Sequence, residues 1–149
     1  VSWGVNITPS VSSAGAPAKG VIGYDTDGGE VIDTPILNGT QELWVRYPFT
    51  LSKTSDLVGL SLRTRHDDGI QAYLNGTLIH SDNVTIPIPA VNASASFTNT
   101  DVTQYLSALK VGQNVVSFRV VNATTTSSDL LLATELVAST APSASSNYN

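Results

Sequence analysis

The chain has 149 residues, of which 41% are hydrophobic and 13% charged, and a formal net charge of −5. That length suits one domain whose core is large enough to stand without disulfides or metal. With no Cys, it is excluded from thiol catalysis, disulfide frameworks, Cys-ligated zinc and iron–sulfur chemistry. Two histidines, His66 and His80, are poor material for an imidazole metal site. The seven basic residues are scattered, so neither nucleic acid nor an anionic membrane is expected as a partner. No apolar run approaches the ~18–20 residues of a membrane span.

Residues 1–10 place Val1, Trp3, Val5 and Ile7 on one side and Ser2, Gly4 and Asn6 on the other, the pattern of a strand with one buried face. A Ser/Ala/Gly/Pro connector follows. Short strands are expected around Val21–Tyr24 and Val31–Leu37, separated by the turn-rich DTDGGE. The stretch Glu42–Leu51, rich in Trp, Val, Tyr, Phe and Thr, suits a pleated half-buried surface. Val58, Leu60, Leu62 and Thr64 then alternate with Gly59, Ser61, Arg63 and Arg65, predicting a strand that turns both arginines outward. After His66-Asp67-Asp68-Gly69, two apolar runs joined by Asn75-Gly76 predict a hairpin. Residues 81–96 read as a loop with at most an edge strand, given Pro87 and Pro89.

From Asp101 the period changes: Val102, Tyr105, Leu106 and Leu109 fall at helical spacing, with Asp101 and Gln104 as a capping pair and Gly112 as the stop. Strands are expected again over Asn114–Val121 and Leu130–Val137, and STAPSASSNYN has a low-complexity composition. About eight to ten short strands at such spacing predict an all-β antiparallel sandwich, of jelly-roll topology, with one short helix. The division is an N-terminal strand and connector over 1–19, the sandwich over 20–138 and a tail over 139–149.

The segment RTRHDDGIQAYLNGTLI and the later DVTQYLSALKVGQNVVSFRVVNATTTSSDLLLATELV carry a DDG-x-x-x-YLNG hairpin, a G-x-N-V strand and a closing SSD-x-x-L-x-x-E-L strand. With VIGYDTDGG and ELWVRYPFTL upstream, roughly residues 20–138 resemble a module recurrent in large secreted bacterial proteins, similar to galactose-binding-domain jelly rolls. That resemblance implies a jelly-roll fold and a non-catalytic role beside sugar-binding and cell-surface domains.

Asp67 and Asp68, adjacent in a tight turn, offer oxygen ligands for calcium, which would in turn hold sugar hydroxyls; the alternative is that Asp and Gly simply make the turn. Calcium is thus the one cofactor in view. Asp25-Thr26-Asp27-Gly28-Gly29-Glu30 imitates part of a calcium loop without its full ligand spacing. No nucleophile signature accompanies His66 or His80, so no enzyme is expected. Trp3, Trp44, Tyr24, Tyr47 and Tyr73 serve either a sugar-stacking platform or the core. N-x-[ST] triplets at Asn6, Asn38, Asn75, Asn83, Asn92 and Asn122 are candidate N-glycosylation sites, although Asn38 and Asn75 are also Asn-Gly turn formers.

The chain opens at Val1 without an initiator Met or leader, which reads as a processed polypeptide and predicts an extracellular or cell-surface location. The leading expectation is a non-enzymatic structural or adhesive subunit. It would assemble with copies of itself into a filament or array through exchange of a terminal strand bearing Val1, Trp3, Val5 and Ile7. The alternative is a calcium-assisted carbohydrate-binding module with glycans as partners.

Overall fold

The computed structural model describes residues 2–4, 10–11, 20–93 and 96–142. Within them the chain runs through β1 (Ser2–Gly4), β2 (Ser10–Val11), β3 (Ile22–Asp25), β4 (Thr34–Pro35), β5 (Glu42–Leu51) and β6 (Leu57–Asp67). It continues through β7 (Gly69–Leu74), β8 (Thr77–Asp82), β9 (Thr98–Asp101), a 3₁₀ helix (Thr103–Ala108), β10 (Gly112–Val121) and β11 (Asp129–Thr140). Two sheets form a β-sandwich. One has the order β4-β3-β11-β6-β9 with β1 also on β11, and the other the order β2-β5-β10-β7-β8. All ladders are antiparallel except the two-residue parallel pairing of β3 with β4.

Period-two patterning builds the core. In β5, Leu43, Val45, Tyr47 and Phe49 point inward while Glu42, Trp44, Arg46 and Pro48 stay outside. Across the sheet, Phe118 of β10 lies between Val45 and Ala72, and its ring meets Tyr47 edge-on at 5.6 Å between centroids. The small Ala72 leaves room for the ring. From the opposite sheet, Ile22, Leu62, Leu132 and Leu136 close the interior.

Several expectations need correction. The alternation predicts an inward Val58, but the β6–β11 ladder passes from Gly59↔Ser139 to Leu57↔Thr140, so Val58 is skipped and is 55% exposed. The helical period after Asp101 yields about two turns of 3₁₀ helix, with Val102 at its N-cap; Asp101 Oδ1 accepts the Thr103 N–H, and no side chain caps the helix as a reciprocal pair would. The strand expected over Val31–Leu37 shrinks to Thr34–Pro35, and β9 forms where none was assigned, against β6. Of the N-terminal strand, Trp3 lies in β1, whose backbone pairs with β11; Val1, Val5, Asn6 and Ile7 lie outside the described residues.

Phe118→Ala should lower the unfolding free energy by about 3–5 kcal/mol in a urea titration, because the ring is fully buried and its neighbours belong to both flanking strands.

Candidate functional site

At one end of the sandwich the chain passes from β6 to β7 through a single residue, Asp68. Asp67 and Asp68 are 2% and 3% exposed. Asp68 Oδ1 accepts the Val91 N–H, Asp68 Oδ2 accepts the Ala123 N–H at 2.6 Å, and its carbonyl accepts Asn83 Nδ2 at 3.2 Å. Asp67 Oδ2 accepts the Ala93 N–H at 3.2 Å, whereas the buried Asp67 Oδ1 has no hydrogen-bond partner. Three of the four carboxyl oxygens offered by sequence for calcium or sugar are thus spent on backbone amides of the β8–β9 and β10–β11 connections. Among the described residues no group of three His, Asp or Glu side chains is arranged to hold a metal ion.

The Asp25 loop is similarly self-contained. Its carboxylate accepts the backbone N–H groups of Asp27, Gly28, Gly29 and Glu30, which hold Asp25 down at about 2. His66 Nε2 lies 3.5 Å from Asp82 Oδ2 and its Nδ1 is buried without a partner; burial pushes both His66 and His80 down.

The candidate glycosylation asparagines divide sharply. Asn122 is buried, and its Nδ2 donates to Tyr24 Oη, the Thr40 carbonyl and the Asp129 carbonyl. Asn75, with φ +48°, sits at the end of β7 opposite Asp68. There its Nδ2 donates to the Ala108 carbonyl and Asn114 Oδ1, while its Oδ1 accepts the Val115 N–H. Asn83 donates to Asp68 and Pro89 carbonyls. Asn38 and Asn92 are the exposed pair. Sequence reasoning missed Asn114, which is fully buried and joins the β7–β8 turn to Lys110 and Gly112; a lone Asn in a strand carries no periodic signal.

The outer face of the five-stranded sheet carries the other arrangement of note. Trp44 on β5, Arg119 on β10 and Gln71 on β7 form one cross-strand row, and Arg46, Ser117 and Tyr73 form the next. The rings of Trp44 and Tyr73 stack at 6.1 Å between centroids, 29° between planes, and Trp44 is 38% exposed. Trp44 Nε1 donates to Glu42 Oε1 at 2.7 Å. Arg119 donates to Glu42 Oε2 at 2.9 Å and to Gln71 Oε1 at 3.1 Å. Tyr24 and Tyr47, by contrast, are in the core.

No protein-family model matches the chain, and no curated protein matches it. Among solved structures, a calcium-binding mutant of Bacteroides uniformis beta-glucuronidase 2 aligns over 93% of this chain at TM-score 0.50 and 12% identity. The alignment spans 18% of that chain, so this chain corresponds to under a fifth of the longer protein. A beta-galactosidase from Bacteroides fragilis aligns over 90% of this chain and 24% of its own at TM-score 0.44 and 12% identity. The PA14 domain of the antifreeze protein MpAFP aligns over 81% and 50% at TM-score 0.37 and 7% identity. The first likeness supports the β-sandwich fold alone.

The buried carboxyl pair makes stability depend on pH. Burial, reinforced by the charges of Asp68 and Asp129, pushes Asp67 up to about 7. A carboxyl raised on folding stabilises fully below its unfolded value of about 4, and that contribution is lost as pH rises through about 7. His66 and His80, lowered on folding, stabilise above about 6.5 and lose that contribution as pH falls. Asp67→Asn should therefore match the wild type near pH 4 and exceed it at pH 8 by on the order of 2 kcal/mol in urea titrations. A gap that stays constant with pH would locate the titration elsewhere.

Proposed function

We propose that this chain is a non-catalytic β-sandwich that contacts carbohydrate through the outer face of its five-stranded sheet. One observation carries the reading: the outward-facing stack of the exposed Trp44 on the half-buried Tyr73, framed by the hydrogen-bonded Glu42, Arg119 and Gln71. Sugar rings present C–H faces that pack on aromatic rings and hydroxyls that need donors and acceptors beside them. Here those polar groups are already held by one another, so little side-chain freedom is lost on contact. The galactose-binding-like resemblance agrees with this role, and the reading needs no calcium, since Asp67 and Asp68 are committed elsewhere.

Trp44→Ala and Tyr73→Ala should each weaken glycan binding about tenfold or more on a glycan array followed by calorimetry, with unchanged circular dichroism. Binding that survives both substitutions, or no binding by the wild type to any glycan, would remove the proposal.

Assembly at a cell surface through strand exchange is a second reading, and in this structure β1 and β2 pair with strands of their own chain. β3 covers β11 over Asp129–Leu132, and β1 adds farther along, over Val137–Ser139. β2 adds to β5 at Val45 and Arg46. Each of these short ladders closes within one chain by main-chain bonds that a neighbour's strand is equally able to make. Sedimentation of the full chain and of a chain lacking residues 1–10 tests the idea: multimers for the first and monomers for the second are expected. A monomeric full chain, or multimers that survive the deletion, would overturn it.

A further inference from the structure

We propose that a proton held on Asp67 latches the 83–93 connection and the start of the 122–128 connection to the end of the sandwich, and that its loss unlatches both. The geometry is that of a two-carboxyl clasp. Asp68 takes one amide from each connection, Val91 with one oxygen and Ala123 with the other, while Asp67 takes Ala93. Asn83, at the root of the 83–93 connection, ties back to the Asp68 carbonyl.

Asp67 Oδ1 is the weak point. It is buried and has no donor, so an ionised carboxylate would leave one charge-bearing oxygen unsolvated, whereas a protonated carboxyl would not. The surroundings do not neutralise a second charge. Asp68 adjoins on the turn, Asp129 stands on β11 with Asp25 behind it on β3, and Asp82 stands on β8 facing His66. His80 of β8 is partly buried and neutral in tendency, and Arg65 of β6 is ion-paired with Glu30 at 2.6 Å. The 83–93 and 122–128 connections contribute no charged side chain. Ionising Asp67 therefore sets like charges against each other beneath the amides that Asp67 and Asp68 hold. The consequence reaches the surface, because the 83–93 connection displays Ile86 at 85% and Val91 at 49% exposure.

Amide hydrogen exchange on the full chain, followed by NMR at about pH 5.5 and about pH 8.5 and corrected for intrinsic rates, tests the latch. Protection of the Val91, Ala93 and Ala123 amides should fall about tenfold or more at the higher pH, while that of the core residues Leu62 and Phe118 stays constant. In Asp67→Asn the three amides should keep their protection at both pH values. Equal protection of the wild type at the two values overturns the proposal, as does an undiminished fall in the variant; the wild-type series decides alone if the variant does not fold. Calcium at about 5 mM should leave the high-pH exchange unchanged. Restored protection would mean that a cation, and not a proton, closes the clasp.

Discussion

The passage of the chain between sheets at Asp67, Asp68 and Gly69 is the constraint on which one whole end of the sandwich depends. With one residue between β6 and β7, there is no loop to carry water or side chains to the backbone groups nearby. The adjoining connections turn their amides inward at Val91, Ala93 and Ala123, and buried amides need acceptors. Two short acidic side chains supply them from the turn itself. Gly69 completes the arrangement by close approach: a Cβ there would stand 2.2 Å from the Asn83 carbonyl oxygen.

At the opposite end one junction is closed without charge. Asn75, in the β7–β8 turn, and Asn114 bond to each other and to backbone groups of the 3₁₀ helix at Ala108, of Lys110, and of β10 at Gly112 and Val115. A neutral amide both donates and accepts, so a pair of them satisfies this junction with no dependence on pH. The two junctions therefore differ in kind, the Asp67–Asp68 turn titratable and the Asn75–Asn114 pair inert.

The two outer faces differ as well. On the six-stranded sheet, Arg63 pairs with Glu135 and stands over Phe97, and Arg65 pairs with Glu30, so ionic contacts cover that face. On the five-stranded sheet the polar groups frame an aromatic stack and leave its Trp44 ring partly in water. Exposed aromatic area is costly to leave solvated, which makes this face the one suited to a partner with apolar ring surfaces.

Local signals determined most of the long strands of this protein. Period-two alternation and β-branched or aromatic content delimited Glu42–Leu51, and Asn75-Gly76 specified the β7–β8 hairpin, because both depend on neighbours within a few residues. What only the tertiary structure decided were relations between distant segments. From β5 onward, β7–β8 is the one consecutive pair hydrogen-bonded in the same sheet; the other consecutive strands lie in opposite sheets. Pairings such as Trp44 with Arg119, and the burial of Asp67 and Asp68 beneath two remote connections, therefore leave no mark in local spacing. The skipped Val58 breaks a pattern that looked regular because its cause lies on β11, more than 80 residues away at Thr140. Patterning of side chains sets which face of a strand is apolar, but only the closure of long loops determines what that face, or its reverse, will meet.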